Sequence, residues 1–188
     1  MILSVLSGLL IFYISIFFLV RRFYIMGSSK GEKIDLTQRE NKLLLVIDVQ
    51  KSYINNTPSK LANRCISNIN KVIDHTYKLN YNIVYTASIR KKTFLTSLFI
   101  FDIAIQGTEG AKIDSRLNTN TPVIFEKFFA DGFFNKEFRM YLENNNIIKI
   151  FITGMAAEVC VSETIKGALN RGYKVVVIQD TIIPIPTT

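Results

Sequence analysis

The stretch Lys42-Leu-Leu-Leu-Val-Ile-Asp48 is an unbroken apolar run of β-type that ends in a carboxylate. A strand with one wet face alternates polar and apolar residues, so an unbroken run suits a strand covered on both faces. Similar runs recur at 82–88, 122–127, 147–153 and 173–180. Helical patterns separate them. Leu61, Cys65, Ile69, Val72, Ile73 and Thr76 recur at helical spacing over 59–79, with Asn80 as a stop. Further helices are expected over 135–144 and over 158–170, the latter closed by Gly172. Strands alternating with helices require right-handed β-α-β crossovers, which means a doubly wound parallel α/β sheet with helices on both faces. The block 93–105 is apolar without clean periodicity, and a lid, a helix and a partner-facing surface all remain open for it.

The N-terminus imposes a second constraint. Residues 1–20 carry no charged side chain and are dominated by Leu, Ile, Phe and Val, with Arg21-Arg22 directly after them. Such a run spans roughly 30 Å, the thickness of a bilayer's hydrocarbon core. Residues 1–25 therefore read as a transmembrane helix anchoring the chain to a membrane. A cleaved signal peptide fits less well, because the basic pair follows the apolar run and no Ala-x-Ala site appears. Arg21, Arg22, Lys30 and Lys33 should stay on the cytoplasmic side, making the chain single-pass with its domain facing the cytoplasm. Residues 26–40 read as a polar linker and 41–188 as one domain.

Composition narrows the partners. The formal charge of +8 is spread over the chain with no basic run longer than Arg90-Lys91-Lys92. Together with the lack of zinc-finger spacing and of a glycine-rich phosphate loop, this argues for a solvated surface and against nucleic acid. Cys65 and Cys160 do not make a disulfide framework.

In open parallel sheets the functional crevice lies outside the carboxyl ends of the strands. Asp48, Lys127 and Cys160 each fall at or just beyond such an end, and Cys160 opens a helix after the small-residue turn Gly154-Met-Ala-Ala. A thiol at a helix N-terminus sees free backbone N–H groups and the positive end of the dipole, which favour thiolate. Attack on an amide carbonyl needs a deprotonated sulfur, donors for the developing oxyanion and a proton for the leaving nitrogen. N–H groups around Cys160 and in the turn Met155-Ala156-Ala157 can serve as donors. Lys127 can stabilise the thiolate, and Asp48 can carry the proton. The single histidine, His75, lies on the face of its helix away from the apolar stripe, which leaves Cys-His chemistry without a base.

At this point the chain resembles the isochorismatase-like superfamily of cysteine hydrolases, which includes nicotinamidases, N-carbamoylsarcosine amidase and ureidoacrylate amidases. The resemblance covers about 43–182 and rests on six pieces in order. They are Leu-Leu-Val-Ile-Asp48-Val-Gln50, Val-Tyr-Thr-Ala, Gln106-Gly-Thr-Glu-Gly-Ala, Glu-Lys127-Phe-Phe-Ala-Asp-Gly-Phe133, Thr-Gly154-Met-Ala-Ala-Glu-Val-Cys160-Val and Gly172-Tyr-Lys-Val-Val-Val-Ile-Gln-Asp180. It implies a Rossmann-like fold and a catalytic triad of Asp48, Lys127 and Cys160. It also implies an oxyanion hole from the backbone N–H groups of Ala156 and Cys160, and a non-proline cis peptide between Met155 and Ala156. Substrate-pocket walls are expected at Gln50, Tyr53, Phe128 and Phe133, and the Phe-rich block 94–101 is a candidate homo-oligomer contact. Nicotinamidases of this superfamily bind a metal through an Asp-x-His and further histidines, but 85–110 holds no histidine here, so no metal or other cofactor is expected. Isochorismatases proper lack the cysteine. Relatives usually continue past the fifth strand with a further helix and strand, so a C-terminal strand unit is expected to be missing and one flank of the sheet exposed.

The expected function is hydrolysis of a C–N bond in a small amide or ureido substrate through a Cys160 thioester. An inactive membrane-anchored interaction module of the same fold and an isochorismatase-type vinyl ether hydrolase are the alternatives.

Overall fold

The computed structural model describes residues 2–20, 27–93, 104–120 and 122–185, and within the first stretch the side chains of 6–19. Five strands, β1 (Asn41–Ile47), β2 (Asn82–Ser88), β3 (Val123–Lys127), β4 (Ile147–Met155) and β5 (Lys174–Ile183), form one sheet in the order β3-β2-β1-β4-β5. Every neighbouring pair is parallel. The described helices are α1 (Ile2–Val20), α2 (Lys51–Asn55), α3 (Ser59–Lys78), α4 (Lys136–Asn144) and α5 (Ser162–Asn170). The chain winds outward from β1 to β3, then crosses back to lay β4 on the other side of β1. That reversal opens a crevice above the carboxyl ends of β1 and β4.

Alternation along β1 shows why its run is unbroken. Leu43, Leu45 and Ile47 enter one core with Phe133, Phe138, Leu142 and Ala168, whereas Leu44 and Val46 enter another with Ala62, Cys65, Ile69 and Ile73. Hence α3 covers one face, and α4 and α5 cover the other. Local signals agree with these elements. Asn135 caps α4 by accepting the Phe138 N–H at 2.8 Å, and Gly172 ends α5 at φ +82°, a conformation that costs an L side chain.

Several expectations are corrected. Residues 27–35 are not a free tether: Ser29 donates its N–H and hydroxyl to Asp131 Oδ2 at 2.7 and 2.6 Å. Arg171 donates from Nη1 to the Ser29 hydroxyl at 2.8 Å and from Nη2 to the Lys30 carbonyl at 2.8 Å. Short polar residues read as linker by composition, but here they satisfy a buried carboxylate and a buried guanidinium. The helix expected from 158 starts instead as a π-helical turn, Ala157–Val161, and becomes regular only at Ser162. At the N-terminus, α1 has no charged residue and exposes Leu9, Leu10, Ile11, Phe12 and Phe18. Among the described residues no helix is long and apolar enough to cross a membrane. The expected transmembrane helix is thus without support from the structure. At the other end β5 lies at the sheet edge, with Val176 and Val177 exposed.

Candidate active site

The crevice is built on a close approach of two backbones. Gly154 has φ +119°, and a Cβ there would fall 2.1 Å from the Ile47 carbonyl oxygen. Only glycine lets the end of β4 lie against the end of β1, and this brings the turn carrying Cys160 beside Asp48. The Met155–Ala156 peptide that follows is cis. Asp48 itself turns off β1 in the left-handed region at φ 52°, where Asp is tolerated better than most side chains.

Asp48 and Lys127 are both buried, and their Oδ2 and Nζ atoms lie 2.7 Å apart. The carboxylate is oriented from its other oxygen by Thr86, whose hydroxyl donates to Oδ1 at 2.8 Å. Lys127 Nζ also donates to the carbonyls of Phe129 and Ala130 at 3.1 and 3.0 Å. An ammonium buried this deeply needs such company. Burial alone pushes it down, but Asp48 and then Cys160 outweigh that, and the net shift is upward. Lys127 is therefore a permanent cation.

Cys160 is half-buried, and its thiol feels both Asp48 and Lys127. Burial pushes the thiol up to about 12; Lys127 pulls it down, and Asp48 pushes it further up. The thiolate expected from a helix N-terminus is thus not the resting form. The π-helical turn also arranges amides: the Val159 and Val161 N–H groups both bond the Ala156 carbonyl at 3.1 Å, and the Cys160 amide between them joins neither bond.

The expected pocket residues separate. Tyr53, on α2, is half-buried and packs against the core under α3; burial pushes its phenol up, Asp48 adds to this, and a side-chain hydrogen bond with Ser88 and the charge of Arg90 oppose it. Phe128 is half-buried next to Lys127. Phe133, in contrast, is fully buried and packs between Phe138 and Tyr173, so it belongs to the core. Gln50 is fully buried with its amide committed to backbone, giving to the Ser88 and Ala111 carbonyls and accepting from Ser88 N–H. It ties strand ends together rather than lining a pocket. Cys65 is core and His75 exposed. The block 94–101 lies outside the described residues.

Sequence reading passed over Thr86, Ser88 and Arg90. A signal was present: polar residues at every second position, leaving the end of an otherwise buried strand, must share one face.

Comparison with known proteins now bears on this arrangement. The isochorismatase domain matches residues 42–185, the greater part of the chain. The chain belongs to the isochorismatase family. Families of this kind are hydrolases, and this member is one. It is 24% identical over 140 residues to the isochorismatase family protein YddQ of Bacillus subtilis, covering 73% of this chain and 74% of that protein. It is 30% identical over 73 residues to N-carbamoylsarcosine amidase of an Arthrobacter species, covering 38% of this chain and 28% of that enzyme. The crystal structure of N-carbamoylsarcosine amidase from Thermoplasma acidophilum shares the fold with a TM-score of 0.69 at 22% identity, over 77% of this chain and 84% of that one.

Proposed function

We propose that this isochorismatase-family hydrolase cleaves the C–N bond of a small amide or ureido compound through a thioester on Cys160. One observation carries the reading: a buried carboxylate and a buried ammonium lie 2.7 Å apart at the sheet edge where the Cys160 thiol sits, and both act on that thiol. The local similarity to an N-carbamoylsarcosine amidase supports this bond type.

In the resting site Cys160 is a thiol, Asp48 a carboxylate and Lys127 an ammonium. As sulfur attacks the carbonyl carbon, its proton passes to Asp48 and the carbonyl electron pair moves onto oxygen. Amides of Ala156 and Cys160 hold that oxyanion, and Lys127 offsets the charge near sulfur. Collapse of the tetrahedral adduct breaks the C–N bond while Asp48 delivers its proton to nitrogen, so ammonia or an amine leaves and a thioester remains. Water then attacks, Asp48 accepts its proton, and the thiol is regenerated with release of the acid. One aspartate serves as base and then as acid in each half.

The test is ammonia release by the full-length chain from nicotinamide, ureidoacrylate, carbamoyl-amino acids and short aliphatic amides, beside Cys160→Ala. Turnover on one class, lost in the variant by about 10⁴-fold or more, is the expected result. No turnover from folded protein, or ammonia release that survives loss of the thiol, sinks the reading.

Membrane attachment by residues 1–25, with the domain in the cytoplasm, is also part of this proposal. Its support is the uncharged run 1–20 followed by Arg21-Arg22. Extraction of the full-length chain from membranes by carbonate alone would refute it.

A further inference from the structure

A cavity of about 770 Å³ shares no residue with the site of Asp48, Lys127 and Cys160. Arg39 stands in it just before β1, Arg171 between α5 and β5, and Arg139 on α4. Its other wall is the segment 28–35, which adds Lys30 and Lys33. A Cβ at Gly31 would fall 2.7 Å from Arg171 Nε, so this wall lies directly on the guanidinium. Arg171 is buried, and Arg39 and Arg139 are half-buried.

Each guanidinium is held by backbone carbonyls rather than by an acid. Arg171 donates from Nη1 to the Gly167 carbonyl at 3.0 Å as well as to Ser29. Arg139 donates from Nη1 to the Phe133 and Phe134 carbonyls. Arg39 reaches the Leu142 and Ile147 carbonyls only at 3.4 and 3.5 Å. Among the described residues none of the three forms an ion pair, and nothing accepts from Nε or Nη2 of Arg139. Like charges oppose one another here: burial pushes the Arg171 guanidinium down, Asp131 resists, and Arg139 adds to the fall. The buried Tyr173 hydroxyl feels Arg39, Glu143 and Arg171 together, which gathers them around one space. The acids that line the cavity, Glu32, Asp35 and Glu143, are all exposed, and Asp35 accepts from the Thr37 N–H and hydroxyl.

Five basic and three acidic side chains leave this cavity with an excess of two positive charges. An anion that takes the free donors relieves the repulsion between partly buried guanidiniums. We propose that the cavity binds a phosphate monoester dianion, with Arg139 and Arg39 donating to its oxygens and Arg171 as the buried charge behind them. Two negative charges and three outer oxygens match this set of donors better than a single carboxylate does. The wall 28–35 continues directly from residues 1–25, so the ester belongs either to a lipid headgroup or to a soluble compound. The same binding chemistry serves both, and neither depends on the reaction at Cys160.

The test is equilibrium dialysis of the full-length chain, in dodecyl maltoside micelles at low ionic strength, against radiolabelled glycerol 3-phosphate. Expected is binding of about one equivalent by the parent and by Cys160→Ala alike, with Kd raised at least about tenfold in Arg139→Gln and in Arg39→Gln, as loss of a charge-assisted bond implies. Lys136, exposed on α4 and outside the cavity, is the control for net charge. Lys136→Gln should change Kd by no more than about twofold. Unchanged melting shows that a variant folds, and with two arginines tested a fold defect in one leaves the other to decide. Displacement of the label by dioctanoyl phosphatidic acid at concentrations at least about tenfold below those needed with unlabelled glycerol 3-phosphate assigns the site to a lipid headgroup. Equal or weaker displacement assigns it to a soluble ester. No binding of the label, binding lost in Cys160→Ala, a Kd unchanged in the folded arginine variants, or one that Lys136→Gln raises as far as they do overturns the site.

Discussion

Cys160 is held between two charges of opposite effect. Burial and Asp48 both disfavour its thiolate, and Lys127 favours it without winning, which leaves the thiol at about 12. A raised pKa keeps the thiol protonated far into the alkaline range. Alkylation of Cys160 in the substrate-free protein should therefore be at least about tenfold slower at pH 8 than that of free cysteine, and should keep rising with pH past 9. Peptide mapping after iodoacetamide treatment measures this. Asp48→Asn removes a negative neighbour and lowers the thiol pKa, so alkylation should speed up while hydrolysis is lost. Slower alkylation in that variant would contradict the role given to Asp48. Chemical character at this scale was readable from Asp48, Lys127 and Cys160 in the sequence. The protonation state was not, because it depends on how much solvent the fold removes from the sulfur.

Among the elements, β1 and β4 matter most, since their carboxyl ends frame the crevice. Their contact depends on Gly154, where a Cβ would collide with the Ile47 backbone. Gly154→Ala should destabilise the fold by about 3 kcal/mol or more, as strain at positive φ adds to the clash. A denaturant midpoint unchanged from the parent would show that β4 can move away from β1. At the cap of α4, Asn135→Ala should cost only about 1 kcal/mol. Strand runs and helix stops placed these elements in the sequence within a few residues. The π-helical turn at Cys160 could not be foreseen, since its residues do not break helical periodicity and its shape follows from the chain's exit beside β1.

At the scale of the whole molecule, residues 27–35 prove to be part of the domain. Ser29 is buried and bonded to Asp131, whose carboxyl is pushed up by burial against the pull of those bonds. A chain beginning at Asn41 would leave Asp131 Oδ2 and the Arg171 guanidinium without these partners and should be less stable than one beginning at Gly27 by about 3 kcal/mol. Equal thermal unfolding of the two would refute the docking. The order of apolar runs and helical stripes in the sequence determined the parallel α/β sheet, the edge where chemistry gathers, and the three residues offered there. Periodicity and residue type are local properties, and they survive without knowledge of the fold. Tertiary structure alone decided that Phe133 is core, that Gln50 braces strand ends, and that the polar segment before β1 docks. Each of these depends on which distant groups a side chain meets, and solvent exclusion and partner geometry exist only once the sheet has closed around them.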